Sequence, residues 1–94
     1  MKLQTIGQMI ISREEEDPIM HIGCPKEIKP QEFRVGLTPN AAREAINHGH
    51  TVTVETNAGI GAGFPDTDYI AVGAKVAETA AEIFARADMI VKVN

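Results

Sequence analysis

Residues 20–55 read MHIGCPKEIKPQEFRVGLTPNAAREAINHGHTVTVE, and the order of patterns within them decides the fold. Met20 to Cys24 is a short apolar run stopped by Pro25, which is how a buried strand reads. The next stretch, PKEIKPQEFRVGL, is charged and punctuated by prolines, a loop with Phe33 and Val35 as candidate anchors. Thr38-Pro39 then opens a helix. The threonine hydroxyl can cap the free amides of the first turn, and proline suits the first helical position, where no amide donor is needed. The helix runs through NAAREAINH with Ala42, Ala45 and Ile46 on one face, and Gly49 is its left-handed terminator. TVTVE at 51–55 is β-branched and predicts a second strand. Strand, helix and strand in this order form a βαβ unit, which requires a parallel pair and a right-handed crossover.

The same alternation continues downstream. NAGIGAGFPDTDY is a glycine-rich turn leading to a short helix at Pro65-Asp66, and Ala74 to Val76 suggests a short strand. Thr79 caps TAAEIFARA, whose Ala80, Ile83, Phe84 and Ala87 recur at helical spacing, and DMIVKV reads as a last strand. The fold class is therefore α/β, a Rossmann-like (flavodoxin-like) three-layer arrangement with a mostly parallel sheet. A parallel sheet needs cover on both faces, and four short strands with two or three helices supply it only in part. The arrangement reads as incomplete, the opening of a domain.

Residues 1–19 differ in character. Gln4, Thr5 and Gln8 interrupt the apolar run, and SREEEDP follows without the small-residue cleavage pattern of a secretory signal. This predicts an N-terminal extension, a short helix or a disordered tail. A translated leader is a further reading, because Glu16-Asp17 can be encoded by a purine-rich ribosome-binding sequence just upstream of the Met20 codon.

Composition removes several classes of function. The chain has 94 residues, with 9 Lys plus Arg against 13 Asp plus Glu and a net charge of -4, against the basic surplus of a nucleic-acid binder. No apolar run approaches the roughly 20 residues needed to span a bilayer. The single cysteine, Cys24, cannot form an internal disulfide, and His21, His48 and His50 show no metal-ligand spacing with it or with a carboxylate. No metal site is expected.

Three features could carry chemistry. Gly59-x-Gly61-x-Gly63 follows a strand, as dinucleotide loops do, but its third glycine comes one residue early and Phe64-Pro65 interrupts the place where the helix should begin. A tight turn is the better reading, and no cofactor-binding residue is assigned. Arg34 sits in the loop after the first strand, on the side where open parallel sheets build ligand crevices. Its planar fork suits a bidentate pair with a substrate carboxylate, the alternative being a solvated arginine paired with Glu32 or Glu27. Lys92 lies between Val91 and Val93 in the last strand, where burial would prepare it for acid–base work and an edge position would leave it in water.

The blocks Pro25-Lys26-Glu27-Ile28-Lys29, Glu32-Phe33-Arg34-Val35, Thr38-Pro39 and Gly61-Ala62-Gly63-Phe64, in this order, closely resemble the N-terminus of alanine dehydrogenases and of the soluble NAD-binding part of proton-translocating transhydrogenases. The resemblance covers residues 20–94. It implies the first part of the substrate domain of a two-domain enzyme, with NAD as cofactor bound outside this chain. L-alanine or pyruvate would be the small-molecule substrate, the assembly a homo-oligomer, commonly a hexamer, and the location cytoplasmic, with no membrane or nucleic-acid partner. It implies that Arg34 binds the substrate carboxylate. The family's substrate-binding lysine falls on Asn94, where transhydrogenases also carry a neutral amide, and a neutral amide supplies neither a cation nor a proton. The catalytic histidine and aspartate of the family would lie downstream, so the chain alone is expected to be inactive. A non-catalytic binding or assembly module made from a truncated gene is the third reading.

Overall fold

The computed structural model describes residues 2–6, 8–12 and 19–93. Strands β1 (Lys2–Ile6) and β2 (Gln8–Ser12) pair antiparallel as a separate two-stranded sheet, where the sequence suggested a short helix or a tail. The main sheet has four parallel strands, β3 (His21–Cys24), β4 (Thr51–Glu55), β5 (Lys75–Ala77) and β6 (Met89–Ile90), in spatial order β5-β4-β3-β6. Counted from β3 the order is 3-2-1-4. That is the Rossmann order and not the flavodoxin one, because β5 adds outside β4 and β6 returns to the far side of β3. The sheet is wholly parallel, as the βαβ reading requires.

Helices α1 (Pro39–Asn47) and α2 (Asp66–Ala71) pack on one face of the sheet and α3 (Ala80–Arg86) on the other. Both predicted caps are made. Thr38 Oγ1 accepts the Ala41 amide at 3.2 Å, and Thr79 Oγ1 accepts the Glu82 amide at 3.2 Å. Pro39 opens α1, and Gly49 (φ 93°) turns the chain out of it in the left-handed region.

Strand alternation divides the side chains between the two faces. Ile22, Cys24, Val52 and Val54 join Leu37, Ala42, Ala45, Tyr69 and Val91 in one buried cluster beneath α1 and α2. On the α3 face lie His21, Gly23 and Thr53, with His21 Nε2 2.8 Å from Thr53 Oγ1. A Cβ on Gly23 would stand 2.5 Å from Ile83 Cγ2 and 2.9 Å from Ala87 Cβ, so α3 reaches the sheet only because this position has no side chain. Ile83 and Ala87 make that contact, and Phe84, expected on the same stripe, is 56% exposed beside it.

Two further expectations change. Val35 is buried, but Phe33 is 65% exposed and lies beside Gly61 of the glycine-rich turn instead of in the core. DMIVKV pairs as a strand only at Met89–Ile90, opposite Ile22 and Gly23. Pro25 has no amide to continue the ladder, and the chain from Val91 onward lies instead against Gly36.

Candidate functional site

In open α/β sheets, ligands bind beyond the carboxyl ends of the strands where the strand order reverses. Here that point lies between β3 and β6, the first and fourth strands of the sheet in chain order. The loop leaving β3 carries Glu27, Glu32 and Arg34, and the segment leaving β6 carries Lys92 and Val93. Sequence position and topology thus bring the two segments that carry the predicted residues to one end of the sheet.

Arg34 is held while its charge faces water. Its side chain is 74% exposed, whereas that of Glu32 is 11% exposed. The Glu32 carboxylate accepts Arg34 Nε at 3.0 Å, Nη2 at 3.2 Å and the Arg34 backbone amide at 3.1 Å. Of the two partners the sequence offered, Glu32 makes the pair. These bonds from Glu32 raise the guanidinium pKa further, so Arg34 stays a cation. Fixing one edge of the fork lowers the ordering cost of presenting the other donors to an anion.

Two open clefts of about 250 Å³ each flank Arg34. One is lined by Arg34, Val35, Thr38, Ala62, Phe64 and Val93. The other reaches from Glu27 and Glu32 to Asn57 and Gly61. Lys92 does not line the first cleft. Its backbone packs on the Arg34 loop, where a Cβ on Gly36 would lie 2.7 Å from the Val91 carbonyl oxygen and 2.9 Å from Lys92 Cα. Asn94 lies outside the described residues.

The glycine-rich turn belongs to this crevice as a wall. Gly59 is packed so closely that a Cβ would stand 2.6 Å from the Tyr69 hydroxyl oxygen, and Gly63 takes φ 91° after the short 3-10 turn Ile60–Ala62. The helix that follows starts with Asp66 and Asp68 in its first turn. Asp66 already accepts the Thr56 hydroxyl at 2.6 Å and the Asn57 amide at 2.8 Å. A pyrophosphate placed there would meet two carboxylates, so this turn does not fit a dinucleotide.

Beneath the crevice, Tyr69 donates its hydroxyl to the Leu37 carbonyl at 2.8 Å, which anchors the end of the Arg34 loop to α2. Burial raises the Tyr69 phenol and pushes the Cys24 thiol from its ordinary 9.0 up to about 12, so Cys24 is a core residue and not a nucleophile. A smaller cleft of about 140 Å³ lies under α3 among His21, Thr53, Lys75 and Arg86. Its lining includes all three residues of β5, Lys75 to Ala77, and does not include Arg34. Among the described residues there is no group of three His, Cys, Asp or Glu side chains able to hold a metal, and no helix is long and apolar enough to cross a membrane.

Glu27 had no assigned role in the sequence beyond a possible partner for Arg34. In the structure it is only 9% exposed and its Oε2 accepts the Val93 amide at 2.9 Å. A bond between residues 66 apart leaves no local spacing signal.

A parallel sheet in Rossmann order, with a braced arginine at its switch point, defines an open Rossmann-like α/β domain. A family model described as "Alanine dehydrogenase/PNT, N-terminal domain" matches residues 23–94, and the chain belongs to that family. It is 49% identical over 75 residues to an alanine dehydrogenase of Halomonas elongata and 46% identical over 75 residues to one of Methanococcus maripaludis, in each case over 80% of this chain and 20% of the relative. Among solved structures, an L-alanine dehydrogenase superposes with a TM-score of 0.75 at 56% identity, over 78% of this chain and 20% of that one. A transhydrogenase from Sinorhizobium meliloti gives a TM-score of 0.71 at 36% identity, over 77% of this chain and 20% of the other. The chain thus spans about a fifth of the length of the curated relatives it matches.

Proposed function

We propose that this chain forms the substrate-binding part of an NAD-dependent L-alanine dehydrogenase, with Arg34 clamping the carboxylate of alanine or pyruvate. The observation that carries the reading is the braced guanidinium, held on one edge by Glu32 and open on the other to the cleft. Val35, Thr38, Ala62 and Phe64 give that cleft an apolar lining with one hydroxyl, which suits a three-carbon acid carrying a methyl group. The role of Arg34 is orientation, since a substrate held by its carboxylate presents its α-carbon in one direction. NAD would supply the oxidising power elsewhere in the whole protein, because the glycine turn of this chain does not fit it.

Two measurements bear on this reading. Pyruvate added to the 15N-labelled chain is expected to shift the Arg34 Nε–Hε signal, and Arg34→Met to weaken that binding about tenfold to a hundredfold, the loss expected for a charge-assisted bidentate pair. Equal affinity in the variant would remove Arg34 from the site. Mixed with L-alanine and NAD, the 94-residue chain alone is expected to give no NADH absorbance.

One observation favours a second reading, the NAD-binding component of a proton-translocating transhydrogenase. Residue 94 is a neutral amide where alanine dehydrogenases carry a substrate-binding lysine. On the first reading Asn94→Lys, which restores the lysine that the resemblance implies at this position, strengthens pyruvate binding several-fold. An unchanged affinity moves the balance to the second.

A further inference from the structure

We propose that Glu27 is a positioning residue of the crevice. By accepting the Val93 amide it holds the chain leaving β6 against the Arg34 loop, and so fixes how far the guanidinium stands from the residues after β6. The functional weight of this latch rests on the carboxylate-binding reading of Arg34.

The first ground is burial against expectation. Lys26, Ile28 and Lys29 around it are exposed, whereas Glu27 is 9% exposed. A carboxylate in a charged surface loop stays in water unless hydrogen bonds compensate its removal. Glu27 has turned inward to the amide of Val93, at 2.9 Å.

The second ground is where that amide lies. The β3–β6 ladder pairs Gly23 with Ile90, and its last bond runs from the Val91 amide to the Gly23 carbonyl at 2.9 Å. β3 then ends before Pro25, which has no amide to offer. Buried backbone donors beyond a ladder must find another acceptor. Glu27, two residues past Pro25 on the same loop, supplies it across the switch point.

The third ground is the contact beside it. The approach of Gly36 to the backbone of Val91 and Lys92 fixes one side of the β6 exit, and Glu27 fixes the next residue but one along the chain. Val93 and Arg34 then line the same cleft. A substrate gripped at one end by Arg34 is sensitive to shifts of about 1 Å in what meets its other end.

The test compares the 15N-labelled chain with Glu27→Ala, Glu27→Asp and Glu27→Gln, with pyruvate as the probe. Gln keeps an acceptor oxygen at the same reach and removes the charge, while Asp keeps the charge one methylene short. In Glu27→Ala the Val93 amide is expected to exchange at least about tenfold faster, and the pyruvate Kd to rise about fivefold to tenfold, the worth of one ordinary hydrogen bond. Core amides of Val52 and Val54 keep their protection. Glu27→Gln stays within about twofold of the native chain in both readouts. If Glu27→Ala unfolds, Glu27→Asp is read in its place and shows the same two losses. Native pyruvate affinity in a variant whose Val93 amide has been freed overturns the proposal. So does a Gln variant that binds as weakly as Ala while Val93 stays protected. A native chain that shows no response to pyruvate removes the carboxylate-binding reading instead. Val93 exchange then decides the latch alone: faster in Ala but not in Gln supports it, and unchanged in both defeats it.

Discussion

The two faces of the sheet are built from the same four-residue strand in opposite ways. Toward α1 and α2, Ile22 and Cys24 are fully buried among branched and aromatic side chains. Toward α3, His21 bonds Thr53 and Gly23 presents bare backbone to Ile83. One face gains its stability from filled volume, the other from close approach. Since the crevice hangs from the filled face, through Tyr69 and Leu37, that face also carries the site.

Three experiments test the contrast, and the largest effect falls on the filled face. Ile22→Ala opens a cavity in the main cluster and is expected to cost about 2–5 kcal/mol in urea denaturation. A cost under about 1 kcal/mol would mean that this face collapses around the gap. On the opposite face nothing can be removed at Gly23, but little can be added. Gly23→Ala places a methyl into Ile83 and Ala87 and is expected to cost about 1–3 kcal/mol by overpacking, with α3 amides losing protection before those of α1. Uniform loss over both helices would show that the faces are not energetically separate.

The smallest effect is electrostatic and belongs to Cys24. Below pH 9.0 its thiol is protonated in both states. Between 9.0 and about 12 the unfolded chain releases a proton that the folded chain retains. Stability therefore falls as pH rises through that window, by up to about 1.4 kcal/mol per pH unit. Tyr69, whose phenol is also raised, adds to the loss from its ordinary value of 10.0 upward. Urea midpoints for the native chain and Cys24→Ala, taken at pH 8.5, 9.5 and 10.5, are expected to diverge in slope from the second point. Parallel lines would place the alkaline loss elsewhere.

Much of this organisation is visible in the residues. The β-branched run TVTVE, the Thr38-Pro39 start and the Gly49 stop rest on local rules, and the structure keeps all three. Arg34 stands out from Lys26 and Lys29 of the same loop because its planar fork suits a carboxylate and because it lies in the block that resembles the family's. What stayed hidden is set by contacts between distant segments. The pairing of DMIVKV is cut short by a proline 67 positions before Lys92 and by the close packing of Gly36, neither of which leaves a mark near residue 90. The inward turn of Glu27 is equally silent, since Lys26, Glu27 and Lys29 look alike as loop charges. The pairing of β1 with β2 escaped because a polar, interrupted run has no clear period in either register.

The span of the Glu27–Val93 bond has a kinetic consequence. Its ends lie 66 residues apart, and the β3–β6 pair beside it joins segments just as distant. Contacts of such separation form only after the intervening chain has ordered, because closing a long loop early costs entropy that nothing yet offsets. The β3–α1–β4 unit can assemble on its own short-range contacts, and the crevice completes itself last. In the native state the same separation predicts that the seam between β3 and β6 opens ahead of the core, read as faster amide exchange at Val91 and Val93 than at Val52 and Val54.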